Sequence, residues 1–222
     1  MTVTIETLRK LPLFHSLTSS ELAQVAPLLR DQAVVAGQAV VQQGEPCSAV
    51  YFVAKGLLRT RRISHEGREQ VLGYLGPGNA VGIVTVLDRG NNPATVDAVL
   101  PSLLYAISCE DLQRIVGQHH AVAVAVAEYL AGEVRRLSEM VEDLALHTVR
   151  SRLARFLLTR ATDPAGPGRW TQEDIAVNIG TVREMIARTL RVMSSEGLIR
   201  RERGRIVIVD RARLEQEAGT LQ

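Results

Sequence analysis

From about His120 the chain runs AVAVAVAEYLAGEVRRLSEMVEDLALH without a proline, and Val126, Leu130, Val134, Leu137, Val141 and Leu144 recur at steps of three and four residues. Apolar side chains at that spacing make one stripe of an α-helix, sustained here for about three heptads. The opening AVAVAV alone would suit a strand, but the later spacing decides for helix. A single helix of this length spans about 40 Å. Its stripe needs a partner surface, and the simplest partner is a second copy of the same chain.

The helix divides two differently patterned regions. Residues 33–108 hold short runs rich in Val, Ile, Leu and Tyr, broken at Gly37, Gly44, Gly56, Gly67, Gly76–Gly78 and Gly90–Pro93. Many short strands with regular turns predict an antiparallel roll or barrel. Ahead of it, SLTSSELAQVAPLLR places Leu22, Val25, Ala26 and Leu29 at helical spacing, with Ser19 or Ser20 as the candidate cap. A further short helix is expected over Glu110–Val116, and an amphipathic one over residues 148–160. ATDPAGPG then reads as a loop, and RRERGRIVIVD as a hairpin with Arg203–Gly204 near its tip.

The stretch TQEDIAVNIGTVREMIARTLRVMSSEGLIR carries the most specific chemistry. Thr171 and Asp174 have capping-box spacing, and Ile175, Ala176 and Ile179 form the buried face of a first helix. Gly180 stands where a tight interhelical turn needs a residue without Cβ. Met185, Ile186, Thr189, Leu190 and Met193 give the expected inner face of a second helix, leaving Arg183, Glu184 and Arg188 outward. Arg can bridge O6 and N7 of guanine, and Glu can accept from N4 of cytosine. Glu184 and Arg188 are also spaced to form an ion pair. Thr171, Gln172 and Val182 complete the expected DNA-facing set.

Charge distribution agrees with a polyanion partner. Residues 1–147 carry 12 Lys and Arg against 15 Asp and Glu, whereas residues 148–222 carry 14 Arg against 9. The basic third is therefore the one holding the helix pair. No run of about 18 apolar residues is free of charge, so no membrane span is expected. The first residues do not read as a signal peptide, and a cytoplasmic protein is expected. The two cysteines, Cys47 and Cys109, lack CxxC spacing; a disulfide between them is one reading, and two reduced thiols is the expected one.

These residues resemble the family of the cyclic-AMP receptor protein and the fumarate-nitrate reduction regulator (CRP/FNR). The resemblance covers nearly the whole chain: the glycine-marked roll, VLGYLGPGNAVG, VEDLALHTVRSRLARFLL, and TQEDIAVNIGTVREMIARTL. It implies an α+β chain with an N-terminal antiparallel β-roll of the cyclic-nucleotide-binding jelly-roll type over 1–117. A dimerisation helix over 118–147 and a winged helix-turn-helix over 148–222 would follow. It also implies a homodimer on double-stranded DNA, with RNA polymerase contacting the loop Thr162–Arg169. The order Gly180, Arg183, Glu184, Arg188 is similar to the receptor protein's recognition helix, whose polar residues read a TGTGA half-site. The fumarate-nitrate branch has a Ser where Ala187 stands and an apolar residue where Arg183 stands.

In the sensor the chain departs from the family pattern. Cyclic-AMP-binding members carry a Glu that meets the ribose and, about ten residues on, an Arg that meets the phosphate. Here those positions are Ile83, within Gly82-Ile83-Val84, and Pro93, within Asn92-Pro93-Ala94-Thr95. The adenine-contacting Thr-Ser pair is replaced by Leu137-Ser138. A cyclic nucleotide would face an apolar wall without a counter-charge, so an apolar effector, or none, is expected rather than cyclic AMP. An iron–sulfur cluster needs about four thiolates, more than the chain has. Haem ligands would have to come from His15, His65, His119, His120 or His147; His119–His120, just before the long helix, is the candidate pair, but plain loop or surface histidines are the expected reading. No basic cluster flanks either cysteine to suggest redox sensing. The alternative reading, a regulatory roll attached to an enzyme, meets no catalytic motif in residues 148–222, and no catalytic or metal site is expected. A constitutively active DNA binder remains a third reading.

Overall fold

The computed structural model describes residues 3–159, 170–202 and 205–219. It resolves into two compact units, one of residues 1–66 and 72–137, the other of residues 67–71 and 138–222. The expected loop Thr162–Arg169 and the expected hairpin tip Arg203–Gly204 lie outside the described residues.

The first unit opens with α1 (Ile5–Arg9) and α2 (Ser19–Val25). The cap of α2 is Thr18 rather than Ser19 or Ser20. Its Oγ1 accepts from the Glu21 amide at 3.3 Å, and the Glu21 carboxylate accepts from the Thr18 amide at 2.8 Å. That closes a capping box, which requires Glu three residues after the cap and so selects Thr18. Ala26, expected on the helix, begins a 3₁₀ turn with Pro27.

The strands are β1 (Arg30–Val34), β2 (Ala39–Val41), β3 (Ala49–Lys55), β4 (Leu58–Ile63), β5 (Glu69–Leu75), β6 (Ala80–Val81), β7 (Thr95–Ala98) and β8 (Ser102–Ser108). Among the described residues they form two four-stranded sheets, ordered β1-β8-β3-β6 and β2-β7-β4-β5. Antiparallel registers set Tyr51 opposite Ala106 and Thr60 opposite Val96. Helix α3 (Ile83–Asp88) follows β6, α4 (Cys109–Gln118) follows β8, and α5 runs His120–Leu146. Phe14 and Phe52, both fully buried, meet with ring centroids 5.3 Å apart, worth about 1 kcal/mol beyond area burial.

Successive strand residues face opposite sides of a sheet, and here that rule sorts the charges. On β4, Leu58 and Thr60 face inward while Arg59 and Arg61 face the other side. On β7, Val96 and Ala98 are interior and Asp97 meets the two arginines. Asp97 is 5% exposed, with its carboxylate 2.9 Å from Arg59 Nη2 and 2.7 Å from Arg61 Nε.

The structure overturns the expectation of two reduced thiols, because Cys47 and Cys109 form a disulfide with a Cα–Cα distance of 6.6 Å. Sequence spacing hid the pair. The register of β3 on β8 sets Ala49 opposite Ser108, which brings the loop before β3 alongside the start of α4.

The second unit contains α6 (Val149–Thr159), α7 (Gln172–Ile179), α8 (Arg183–Ser195), the hairpin β9 (Ile199–Glu202) and β10 (Arg205–Ile208), and α9 (Arg211–Glu217). Leu153, Leu157, Ile175, Ile186, Leu190, Met193 and Leu214 fill its core. Arg150 of α6 donates to Glu217 of α9 at 2.7 Å and to Glu196, just after α8, at 3.2 Å. Its guanidinium holds both carboxylates below their usual range, and they in turn push Arg150 up.

Two stability predictions follow from these ion clusters. Asp97→Ala removes the buried carboxylate shared by two guanidiniums, each about one-quarter exposed, and is expected to cost about 3 kcal/mol. A guanidinium chloride midpoint equal to the parent's would show that Asp97 contributes nothing. In the second unit, the charges of Glu217 and Glu196 stabilise the fold at neutral pH. That stabilisation is lost as acid protonates them below the usual carboxylate range. Arg150→Ala is expected to lower the thermal midpoint at neutral pH and to flatten its fall in acid. Parallel melting curves for parent and variant would reject the linkage.

Candidate nucleic-acid interface and sensor pocket

Helix α7 begins at Thr171, whose Oγ1 accepts from the Asp174 amide at 3.1 Å while Asp174 accepts from the Thr171 amide at 2.9 Å. The expected capping box is therefore formed. The Thr171 hydroxyl also donates to Asp174 at 2.6 Å, so it is already engaged. Helix α7 ends at Gly180 in the left-handed region, φ 69°, where an L side chain is strained. A Cβ there would also sit 2.6 Å from Leu144 Cδ2.

After this turn Val182 caps α8 with an extended backbone and is itself exposed. Ile186, Leu190 and Met193 are buried at helical spacing and anchor α8 against α7 and α6. Met185, expected on that face, is instead 37% exposed. It lies one residue before Ile186, about 100° round the helix from the buried stripe. Thr189 is half-buried and donates its hydroxyl to the Met185 carbonyl at 2.8 Å.

The outward face carries Arg183, Glu184 and Arg188, all exposed. Among the described residues none of the three has a hydrogen bond or ion pair, so the expected Glu184–Arg188 pair is not formed. Gln172 is half-buried on the first turn of α7. The hairpin adds exposed Arg200, Arg201 and Arg205, of which Arg200 is 2.6 Å from Glu202. Behind this face Arg152, 8% exposed, donates to the Leu144 carbonyl at 3.1 Å and to the Gly180 carbonyl at 3.5 Å. The interhelical turn and the end of α5 therefore share one buried cation.

The stripe on α5 is not uniform. Val126 is buried and Leu130 packs against the same core, whereas Val134, Leu137, Val141 and Leu144 are 38–65% exposed. The first two expected partner-facing residues are thus taken up by the chain's own roll.

The first unit encloses a cavity of about 410 Å³, a size suited to a small organic ligand. Its lining includes Gly82, Ile83, Val84, Asn92, Pro93, Ala94 and Leu137. Thr95 and Ser138 are not part of it. Strand alternation turns Thr95 away from Ala94 and Val96, and its Oγ1 accepts from the Gln43 amide at 3.1 Å. Ser138 is exposed on α5. Gly82, φ 91°, makes the sharp entry into α3 with its Cβ position 3.2 Å from the Ala49 carbonyl.

Sequence reasoning missed the polar part of the lining. Thr60 and Arg62 reach it from β4, and Tyr129, Glu133 and Arg136 from α5. Two guanidiniums therefore reach a wall expected to hold no counter-charge. The signal was present as alternation along β4 and as three- and four-residue steps along α5. Arg136 is not free: it donates to Glu133 at 2.7 Å and also to the Leu72 carbonyl. Tyr129 donates to the Ala80 carbonyl at 2.9 Å, and burial, with Glu133 nearby, pushes its phenol up.

Among the described residues no cluster of three or more His, Cys, Asp and Glu is arranged to hold a metal ion. His15 meets the Pro12 carbonyl at 2.6 Å, and His119 meets Glu21 at 3.0 Å. No described helix is long and apolar enough to cross a membrane.

Residues 32–119 match the family model for a cyclic nucleotide-binding domain, and residues 151–217 match that for a Crp-like helix-turn-helix domain. The cyclic AMP receptor protein of Thermus thermophilus is 30% identical over 93% of this chain and 96% of its own length. A CRP-like cAMP-activated global transcriptional regulator of Mycobacterium tuberculosis is 26% identical over 96% of this chain and 99% of its own. The crystal structure of a transcriptional regulator of the crp/fnr family from Eubacterium rectale superposes with a TM-score of 0.85 at 27% identity, over 95% of this chain and 99% of that one. Both domains fall in the same chain order and the likeness runs nearly end to end, so this protein belongs to the CRP/FNR family of transcription regulators.

Proposed function

We propose that the chain acts as a homodimer that reads a TGTGA-like inverted repeat, with Arg183, Glu184 and Arg188 on the base edges of each half-site. One observation carries the reading. Three side chains able to read bases stand on the exposed first turns of α8 with no hydrogen bond or ion pair among the described residues. Side chains committed to internal ion pairs would have to break them to bind; these do not. Gln172 and Val182 flank them, and Arg200, Arg201 and Arg205 are suited to phosphates. Thr171 serves chiefly to fix the start of α7.

The exposed residues Val134, Leu137, Val141 and Leu144 supply the dimer seam. A two-fold axis there sets two recognition helices about 34 Å apart, one helical turn of DNA. The protein works where the chromosome is, in the cytoplasm, and RNA polymerase is the expected further partner.

The cavity in the first unit is the effector site. Ile83 and Pro93 stand where the resemblance calls for the ribose-binding Glu and the phosphate-binding Arg, and proline also lacks an N–H donor. Of the two arginines in the lining, Arg136 is neutralised by Glu133 and Arg62 is exposed. A predominantly apolar ligand fits such a lining, and cyclic AMP does not.

Fluorescence anisotropy on a duplex with TGTGA and TCACA about one helical turn apart tests both parts, with a scrambled duplex as reference. The full-length protein is expected to prefer the repeat, and added cyclic AMP to leave the affinity unchanged. Arg183→Ala or Arg188→Ala should each weaken specific binding by about 1–3 kcal/mol while sparing the scrambled duplex. Equal weakening on both duplexes would make these arginines phosphate contacts. A strong response to cyclic AMP would overturn the reading of Ile83 and Pro93.

A further inference from the structure

The disulfide joins two segments that each hold a different wall of the cavity. Cys47 lies in the loop between β2 and β3. In that loop the Gly44 amide donates to the Asn92 carbonyl at 2.9 Å, the Asn92 amide donates to the Glu45 carbonyl at 2.7 Å, and Pro46 bridges to Asn91. The loop therefore fixes the backbone of the wall made by Asn92, Pro93 and Ala94. Cys109 is the first residue of α4, and from that helix Gln113 donates to the Val86 carbonyl of α3 at 2.6 Å. Helix α3 carries the further lining residues Ile83, Val84 and Thr85. One covalent bond thus clips the holder of one wall to the holder of the other.

We propose that Cys47 and Cys109 form a reversible redox switch on this cavity, fixing its walls when bonded and releasing the loop of residues 42–48 when reduced. The proposal rests on the cavity being the effector site of a DNA-binding regulator. Two observations favour a switch over a permanent staple. A protein that works on the chromosome sits among reducing thiols, where disulfides are mostly transient and sensing. Both cysteines are only half-buried, so the bond lies at the margin of the core rather than inside it. Both cysteines pack at the edge of the core that contains Val50, Phe52, Ile107 and Leu112.

The chemistry balances with a hydroperoxide as oxidant. One cysteine thiolate attacks the peroxide, giving a sulfenic acid and releasing an alcohol, or water from hydrogen peroxide. The second sulfur then displaces the sulfenic oxygen, which leaves as water. Two thiols and one hydroperoxide become one disulfide, one alcohol and one water, a two-electron oxidation. A dithiol reductant reverses it by exchange, taking up the disulfide and returning two thiols.

The test uses the full-length protein, oxidised with hydrogen peroxide or reduced with glutathione, then alkylated and weighed to give the bonded fraction. Hydrogen exchange is read over residues 42–48 and 83–95, and anisotropy on the TGTGA duplex in both states. The bond is expected to break in millimolar glutathione and to re-form with peroxide. Exchange over residues 42–48 and 91–95 should slow roughly tenfold on oxidation. The double variant Cys47→Ser, Cys109→Ser should stay at the fast rate under both conditions. If that variant misfolds, the reduced parent gives the same comparison. A bond that survives glutathione, or one that cycles without changing exchange in these segments, overturns the switch. Specific DNA binding with redox-insensitive exchange would sink the switch and leave the proposed function standing. Redox-sensitive exchange without specific DNA binding in either state would do the reverse.

Discussion

Leu130 and Leu137 lie two turns apart on one stripe of α5, yet the first packs into the core of the roll and the second is 41% exposed. The rest of the molecule is arranged around that change of environment. Where the stripe is buried, α5 contributes to the roll's core and presents Tyr129, Leu130, Glu133 and Arg136 to the cavity. Where it is exposed, the same helix leaves a row of apolar side chains in water. Each such side chain would gain roughly 1.5–3 kcal/mol by full burial. Beyond the row, the Leu144 carbonyl accepts from Arg152, so the last turn of the helix is held by a buried guanidinium of the second unit.

The cavity shows how strand geometry and charge pairing combine. Alternation on β4 sends Thr60 and Arg62 to the cavity and Arg59 and Arg61 to Asp97. Four neighbouring residues, three of them arginines, therefore have two unrelated roles. One pair of guanidiniums shares the buried carboxylate of Asp97, and Arg136 pairs with Glu133. A buried charge is tolerated only with a partner, so the positive residues nearest the ligand space are largely spent on the protein itself. Arg62 keeps its charge at the price of exposure. The buried lining residues Val81, Ile83, Ala94 and Val96 contribute to its apolar character.

Much of this was readable from the sequence because it depends on local period. The long helix, the glycine-punctuated roll, the capping box at Thr171 and the left-handed turn at Gly180 all follow from residues within a few positions of each other. The errors came where the deciding contact is distant in sequence or turns on one residue of phase. Cys47 and Cys109 are 62 residues apart and meet only through the β3–β8 register. Met185 was assigned to the inner face although Ile186, Leu190 and Met193 already complete it. Glu184 and Arg188 have the spacing of an ion pair, but an exposed pair gains at most about 1 kcal/mol and need not form. Arg136 was legible as a helical neighbour of Leu137, yet its position at the cavity also needed the course of β5, where it meets the Leu72 carbonyl.

A ligand site and a DNA-reading face in one chain are coupled only if the ligand binds one conformation better than another. Couplings of this kind are typically worth about 1–3 kcal/mol. The structure offers two places where such a small difference can be made. One is the exposed stripe of α5, where, in the proposed homodimer, a slight change in helix pairing would alter how much apolar surface is covered. The other is the loop of residues 42–48, whose grip on Asn92 is two backbone hydrogen bonds, each contributing about 1 kcal/mol net. A grip that weak competes on equal terms with ligand binding, whereas a covalent link to α4 does not. Closing that link removes loop motions that the cavity would otherwise sample. If the cavity is the effector site proposed above, its walls would then bind a fitting ligand without having to be ordered first, and exclude a larger one.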